Sequence, residues 1–582
     1  MASLPLQAMD LTSLRAVLAE LHPVLLPSRF EKARQAGSHT VQLGFRSLTG
    51  RHWLELSWQA EAPRLLAIEA PPRGGDGSTL AQQLQHGLGG LALVALEQQG
   101  WERVVELQFA ARPGEAIQRS LLVELMGRHS NLFLLDEQQR VVAAARQVRE
   151  QQSRLRPIGT GDPYSPPPAL AGRPPSRQES QAHWRQQLRL VPLPLGKALR
   201  SAYQGISPSL ALQLAGEERQ AAEALLATPV QTLSEQQWQE LWQRWEAWLE
   251  AVDQEHFAVV SNGATAYRCW DTARPWIAAT PPPAPLRINQ ALAHHHSAVL
   301  LSRALQRRRQ ALEQRLQHLL QRELEQRRQQ QERLDQVENS DALQRQADGL
   351  LCLQQPSREQ VAEAQALYRR ARKLRRSVAA ITPRLEQHDL RIAALETSLT
   401  FLAQNDDDSL APEEQLRQLQ ALEEDTETLQ TSRRERRRAD GGRGASAAPT
   451  PLELTSPGGL RLQVGRNHRQ NEWISLRQAR RGDLWFHAQE CPGSHVVLKS
   501  SEGNASERDL QAAADLAAHF SRARGNNRVA VLMVPSEALQ RIPGSGPGTV
   551  RHRGGDVLWA EPSRARRLLE APVHSLERDT QP

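Results

Sequence analysis

Gly482-Asp483-Leu484-Trp485-Phe486-His487-Ala488-Gln489-Glu490-Cys491-Pro492-Gly493-Ser494-His495-Val496-Val497-Leu498-Lys499 is the stretch whose reading decides the C-terminal fold. Leu484-Trp485-Phe486 and Val496-Val497-Leu498 read as two short strands, with Pro492-Gly493-Ser494 as a turn between them. Asp483, Trp485, His487, Ser494 and His495 then lie close to strand ends, where side chains can face a partner. A strand pair in a core has no need of an acid, an indole and two imidazoles. The expectation is a contact surface.

Working outward, residues 452–572 alternate strands with one helix near 507–524, and Asn526-Asn527 leads into a strand at 529–534. Residues 439–451 are rich in Gly, Ala, Ser and Pro and read as a flexible linker. Upstream, 287–438 is polar and rich in Arg, Gln and Glu. Leu305, Leu312 and Leu319 recur at seven-residue intervals, as do Leu385, Ile392 and Leu399, the pattern of an antiparallel coiled-coil hairpin. Some 40 helical residues reach on the order of 60 Å. Asp348-Gly349 and Gln355-Pro356-Ser357 interrupt the pattern, placing a middle module near 344–377, and Pro383 is expected to end or kink a helix. Arg369, Arg370, Arg372, Lys373, Arg375 and Arg376 crowd one segment that local acids do not balance, which reads as an RNA-phosphate patch or a solvated helix face.

Residues 173–286 form a helical module. In Tyr203-Gln204-Gly205-Ile206-Ser207-Pro208, Gly205 can break one helix, Ser207 can cap the next and Pro208 suits its first turn. Such a helix–turn–helix either presents backbone N–H groups to a phosphate or is a structural corner. Residues 1–172 read as an α+β domain, with strands at 40–45, 53–58, 104–109 and 132–135. Helices are expected at 11–22, 79–88 and 117–126, the last ending at Gly127. Pro157 to Pro175 reads as an extended tether.

A chain of 582 residues exceeds one domain. Its 72 Lys and Arg against 65 Asp and Glu give +7, which favours an anionic partner such as nucleic acid. Lysine stands only at 32, 197, 373 and 499, and arginine, suited to bidentate phosphate contacts, carries the rest. Cys269, Cys352 and Cys491 are too scattered for a disulfide framework or a CxxC zinc site, and His294-His295-His296 do not share one helix face. No metal, cofactor, phosphate-cradling loop or nucleophile elbow is expected. Neither a signal peptide nor a membrane-spanning run is legible, so the expected location is the cytoplasm.

With these residues in view, the chain resembles the NFACT family, in particular its bacterial RqcH type, also known as fibronectin-binding proteins. Asp483, Trp485, His487, Pro492, Gly493, Ser494, His495 and Val496 match the family's D-x-W-x-H-x-x-x-x-P-G-S-H-V pattern. Val464-Gly465-Arg466-Asn467, Gln470-Asn471-Glu472 and Pro543 to Val550 are similar to its flanking segments. Glu124-Leu125-Met126-Gly127-Arg128-His129-Ser130-Asn131 is close to E-I-M-G-R-H-S-N, and Asp10 stands where the family has an early Asp. Trp101-Glu102-Arg103 replaces the usual aromatic-Asp-Arg, and the longer carboxylate alters that geometry. Tyr203 to Ala211 and Tyr368 to Arg376 resemble the family's F-x-G-I-S-P element and basic segment.

The resemblance implies a multidomain α+β protein: NFACT-N domain, helical module, coiled coil with middle module and α/β NFACT-R domain. It implies a factor that binds large ribosomal subunits holding peptidyl-tRNA, recruits alanyl-tRNA and directs untemplated alanine tailing of the nascent chain. The ribosome forms the bonds, so the protein would not be an enzyme. An S4-type RNA-binding protein is a further implied partner. Asp10, Glu102, Arg103, Glu124, Leu125 and Met126 stand at positions linked with tRNA handling, and Arg128 and His129 would contact RNA backbone or hold the loop. Trp485, His487 and His495 would stack on or hydrogen-bond RNA, with a core anchor as the other role for Trp485. Rival readings are a surface adhesin binding fibronectin or fibrinogen, and a ribosome-binding homologue that does not tail. A DNA glycosylase of the formamidopyrimidine type is disfavoured by Ala2 and Ser3 and by the lack of a four-cysteine finger.

Overall fold

Nine apolar segments in the first 144 residues pair into one antiparallel sheet, ordered β4-β3-β2-β1-β5-β6-β7-β8-β9. The strands are β1 (Ser28–Gln35), β2 (Thr40–Ser47), β3 (Gly50–Ser57), β4 (Arg64–Ile68), β5 (Ala92–Gln98), β6 (Val104–Ala110), β7 (Arg119–Glu124), β8 (Asn131–Leu135) and β9 (Val141–Ala144). The computed structural model describes residues 6–72, 78–260, 263, 265–271, 286–404, 410–430, 449–542 and 546–570. It divides into two units, Met1–Leu301 and Ser302–Pro582.

In the first unit, α1 (Leu11–Leu25) buries Leu14, Val17, Leu18, Leu21 and Leu25 in the core that also holds Leu43, Phe45, Leu93 and Phe109 of the sheet. That spacing is the apolar stripe of a helix packed on one side. The second helix, α2, covers Thr79–Leu88. The helix expected at 117–126 is instead β7, hydrogen-bonded between β6 and β8. Its Ser120–Glu124 run is buried throughout, and a continuous apolar run reads equally as buried helix or central strand until neighbours are known.

Five helices follow: α3 (Gln181–Arg189), α4 (Leu195–Ala202), α5 (Pro208–Ala215), α6 (Arg219–Ala227) and α7 (Glu235–Asp253). Their core is aromatic. Trp238, Trp245 and Trp248 share one face of α7, and Trp245 meets Tyr203, Trp184 and Trp248 at centroid distances of 4.8, 5.6 and 5.1 Å. Trp248 Nε1 donates to Thr12 Oγ1 on α1 at 2.9 Å, fixing this bundle to the sheet domain.

A 65-residue helix, α8 (Arg287–Leu351), opens in the first unit. The Glu20 carboxylate accepts from the N–H groups of Ile288 and Asn289 at 2.8 and 3.0 Å and so satisfies two otherwise orphan donors of its first turn. In the second unit α9 (Arg358–Gln404) returns along α8. Asp341 pairs with Arg375, Arg327 with Asp389, and Glu323 with His388 and Arg391. The partner numbers rise as the α8 numbers fall, which is the register of an antiparallel helix pair. α8 runs through Asp348-Gly349 and ends only at Leu351, so the expected break lies between 352 and 357. Pro383 lies inside α9 without ending it. The third helix of this region, α10 (Pro412–Gln430), packs on α9. Most of the linker expected at 439–451 lies outside the described residues.

The final sheet, ordered β10-β11-β13-β12-β14-β17, uses β10 (Leu452–Thr455), β11 (Arg461–Val464), β12 (Leu484–Ala488), β13 (Val496–Leu498), β14 (Val529–Pro535) and β17 (Asp556–Ala560), with β15 (Leu539–Arg541) and β16 (Val550–His552) as a side hairpin. A short helix, α11 (His468–Glu472), follows β11, and α12 (Glu507–His519) covers one face of the sheet with Ala513, Ala514, Ala517 and Ala518 fully buried. Alanines let the helix axis approach the strands closely. The fold is multidomain α+β, as expected.

Trp245→Ala should destabilise the first unit by about 3–5 kcal/mol, because the indole is fully buried among other rings. Urea unfolding followed by tryptophan fluorescence measures it.

Candidate functional site

A cleft of about 1120 Å³ in the first unit is lined by Asp10, Trp101, Glu102, Arg103, Glu124, Met126, Arg128, His129, Arg156, Arg200 and Gln204, among others. It therefore gathers residues that sequence reading drew from three separate segments. Leu125 is fully buried behind it, an anchor for the loop.

Each wall has a local cause. Asp10 is the N-cap of α1, accepting from Ser13 N at 2.9 Å and Ser13 Oγ at 2.7 Å. Its second oxygen accepts from Ser207 Oγ at 3.0 Å, and Ser207 is itself the N-cap of α5, accepting from Leu210 N at 2.9 Å. Two helix N-termini are thereby joined through two capping side chains. Pro208 stands in the first turn of α5, and Gly205 takes φ +76°, a left-handed backbone with Trp101 packed against it.

Pro157 to Pro175, expected to be an extended tether, runs along the cleft, lining it with Ile158, Pro167, Pro168, Leu170 and Ala171 beside Arg156. Arg156 forks onto Glu124, with Nη1 and Nη2 at 2.8 and 2.5 Å, and Tyr164 donates to the same carboxylate at 2.9 Å. Burial lowers the Arg156 pKa, but the Glu124 hydrogen bonds outweigh it and raise the value above its ordinary one. Burial, followed by the adjacent carboxylate, pushes the Tyr164 hydroxyl up. Farther along, Leu170 N donates to Glu102 Oε1 at 3.1 Å, and Gln204 Nε2 donates to the carbonyls of Leu170 and Gly172, each at 3.1 Å. Burial raises the Glu102 carboxyl, opposed by the Leu170 N–H and by Arg103. The Arg103 guanidinium is lowered by burial, opposed by Asp10 and Glu102, and donates to Met9 O at 3.3 Å.

Arg128 and His129 project from a short 3₁₀ turn at Gly127–His129 and are exposed at the rim. Ser130 Oγ accepts from Met126 N at 2.8 Å, and Asn131 holds Arg146 through both its backbone groups, so these polar residues shape the loop. The cleft has carboxylates that are buried and largely engaged, with cations on its rim. Sequence reading missed Arg156, Tyr164, Arg200 and Gln204, because Arg156 and Tyr164 sit in a Pro-rich run that carries no periodicity.

The basic segment of α9 turns Arg369, Arg370, Arg372, Lys373, Arg375 and Arg376 to solvent. Arg375 is engaged by Asp341 at 2.7 Å, while the other five have no ion pair among the described residues. These cations lie on the continuous helix α9.

The Asp483–His495 stretch departs from the expected contact surface. Asp483 is fully buried, accepting from Arg480 N, Ser501 N, Ser501 Oγ and Lys499 Nζ at 2.8, 3.1, 2.6 and 3.0 Å. Trp485 is 3% exposed and packs with Ile474, Val497, Val534 and Leu539. Its ring also stacks on His487 at 5.5 Å and meets His495 edge-on at 5.0 Å. His495 shares a hydrogen bond with Ser475 Oγ at 2.8 Å, and Ser494 is fully buried. Of Asp483, Trp485, His487, Ser494 and His495, only His487 retains partial exposure. The strands are as expected, but pairing of Trp485 with Val497 and Val534 puts the indole inside a second small core. A core role for Trp485, weighed beside RNA stacking, is the one the packing favours.

His487 and His468 are pushed down to about 4, mainly by burial, and His495 lies well below its ordinary value for the same reason and through His487. With 6.5 in the unfolded chain, the unfolded state binds more protons between pH 6.5 and about 4, so their contribution is lost as pH falls through that window. Asp425, raised to about 6 by burial, acts with the opposite sign between 3.8 and 6. Three histidines outweigh one acid. The urea midpoint of the second unit should therefore drop from pH 7 to pH 5, and His487→Asn should flatten that dependence. Separately, Arg156→Ala should cost about 3–5 kcal/mol in urea unfolding, since it strands the buried Glu124 carboxylate, and Arg156→Lys less.

Among known proteins, the NFACT N-terminal and middle domains match residues 10–361, and the NFACT protein RNA binding domain matches residues 454–554. A protein named Rqc2 homolog RqcH from Streptococcus suis is 26% identical over 572 residues, covering 94% of this chain and 97% of its own. Its namesake from Streptococcus pneumoniae strain R6 is 27% identical over 564 residues with the same coverage, and that of Bacillus subtilis is 37% identical over 107 residues. Among solved structures, the C-terminal part of the fibronectin/fibrinogen-binding protein from Streptococcus suis is 25% identical and covers 45% of this chain and 98% of its own, with a TM-score of 0.37. The N-terminal part of that protein is 21% identical and covers 50% of this chain and 100% of its own, also with a TM-score of 0.37. Among the described residues no helix is long and apolar enough to cross a membrane, and no cluster of metal-ligating side chains occurs.

Proposed function

Because the chain belongs to the NFACT family, we propose that it is an RNA-binding ribosome quality control factor. In this reading it binds large ribosomal subunits that hold peptidyl-tRNA, recruits alanyl-tRNA and directs untemplated alanine tailing, in the cytoplasm and with an S4-type protein as a further partner. The observation that carries the reading is the cleft of the first unit, where the Asp10, Glu102-Arg103 and Glu124–His129 segments converge on the helix–turn–helix.

The cleft suits holding more than bond-breaking. Its acids are occupied as caps and ion-pair partners: Asp10 by Ser13 and Ser207, Glu124 by Arg156 and Tyr164. Exposed Arg128 and His129 can reach phosphate oxygens, while the fixed walls hold a tRNA end in one orientation. Orientation alone lowers a barrier when the ribosome supplies the chemistry. The exposed cations of α9 add sequence-independent attraction to RNA backbone. The surface-adhesin reading has no residue-level support in this cleft.

Ribosomal particles purified through a tag on the full chain should carry large-subunit rRNA and tRNA, read by sequencing, and absence of both would sink the proposal. Arg103→Ala should reduce tailed peptides about tenfold or more by mass spectrometry, the loss of one charge-assisted contact. Tailing at the parental level would remove Arg103 from the site.

A further inference from the structure

The Pro492-Gly493-Ser494 turn does not present itself to a partner; it clamps another loop. Ser494 N donates to Phe520 O at 2.8 Å, and Arg522 N donates to Pro492 O at 2.9 Å. A Cβ on Gly493 would stand 2.9 Å from Phe520 O and from Ser521 Cβ, so only glycine admits this approach. Beyond the clamp, Ser521 Oγ donates to Ala518 O at 2.8 Å and accepts from Ala523 N at 3.2 Å, and His519 Nδ1 lies 3.2 Å from Pro562 O. The loop 521–528 is thereby tied both to the end of α12 and to the segment after β17.

Between these two segments lies a cleft of about 490 Å³, lined by His519, Arg524, Asn526, Arg528, Glu561 and Arg566, among others. Arg524, Arg528 and Arg566 are exposed. Arg564 is held by Asp515 at 2.9 Å, and Glu561 touches Arg528 only at 3.9 Å. Arg524 and Arg566 have no ion pair among the described residues. Three guanidinium groups thus face one carboxylate at the cleft, Glu561, which also reaches Arg564 at 3.6 Å.

An exposed aromatic ring lies at the same end of the sheet. The register pairs Ala530 with Trp559 and Val529 with Ala560. Arg528 immediately precedes β14, so Arg528 and Trp559 stand at the same end of the β14–β17 pair. Val529 and Ala560 are buried on the α12 side, while Trp559 is 62% exposed. An indole left in water at the sheet end that carries Arg528, close in sequence to Arg524 and Arg566, which have no ion pair among the described residues, matches the two needs of single-stranded RNA, phosphate neutralisation and a stacking platform.

We propose that Arg524, Arg528, Arg566 and Trp559 form the single-stranded RNA contact of the C-terminal domain, with the arginines on phosphates and Trp559 under a base. The proposal rests on the RNA-binding reading above and moves its contact away from the Trp485–His495 stretch, which serves as the scaffold.

Binding of labelled oligouridine to the full chain, measured across a salt series, tests this. Arg524→Gln with Arg566→Gln should weaken binding and flatten the log–log salt slope by about 1.4, two phosphate contacts at about 0.7 each. Trp559→Ala should weaken binding by about tenfold with the slope unchanged. Arg112→Gln, an exposed arginine in the β6–β7 connection, is the control that should change neither. Thermal melting of each variant should match the parent, since all these side chains are exposed. A parent chain that binds no RNA fails the broader function reading together with this one. A parent chain that binds, with both affinity and slope unchanged in the double variant and in Trp559→Ala, overturns the assignment alone.

Discussion

The hydrogen bond from Ser207 Oγ to Asp10 Oδ2 joins a helix of the sheet domain to the helix–turn–helix, and the first unit's cleft depends on it. Both residues are N-caps. Each satisfies an orphan donor of its own helix, and Asp10 spends its second oxygen on the other cap. A carboxylate can do this because it offers several acceptor positions, whereas a serine or threonine at position 10 offers one oxygen. Trp248 reinforces the joint through Thr12, two residues into the same helix. With α1 and α5 held in this way, Glu102, Arg103 and the Glu124 loop need only project from neighbouring strands to converge.

The same economy recurs at the other end of the chain. Gly493 lets two backbones come close enough for a pair of hydrogen bonds, and this fixes where the arginine loop leaves α12. Asp483 serves likewise as a buried hub, satisfying backbone and side-chain donors around Lys499. The polar residues that catch the eye in this stretch are structural: Asp483 and His495 are hydrogen-bonded inside the fold, and Trp485 and Ser494 are buried by packing.

Several elements were legible beforehand. The strands at 40–45, 104–109, 484–486 and 496–498, the helix cap at Ser207 and the return of α9 along α8 all follow from local patterns. Residues 117–126 form a strand where a helix is expected, Pro157–Pro175 runs along the cleft, and Trp485, open between RNA stacking and a core anchor, is a core ring; each outcome depends on which other segment lies alongside. Pro383 passes through a helix because α9 is held along α8 on either side of it, as by Asp389 with Arg327 and Arg375 with Asp341.

By itself the sequence determined the class of this protein: its α+β make-up, its family motifs, its arginine-borne charge and the cap at Ser207 that starts one of its helices. These are local properties, written in residue type and spacing. The tertiary structure alone decided which polar residues are spent on folding and which are left to bind. That depends on burial, and burial of Glu124 by Arg156 or of Trp485 by Val534 arises between residues far apart in the chain, where no spacing rule reaches.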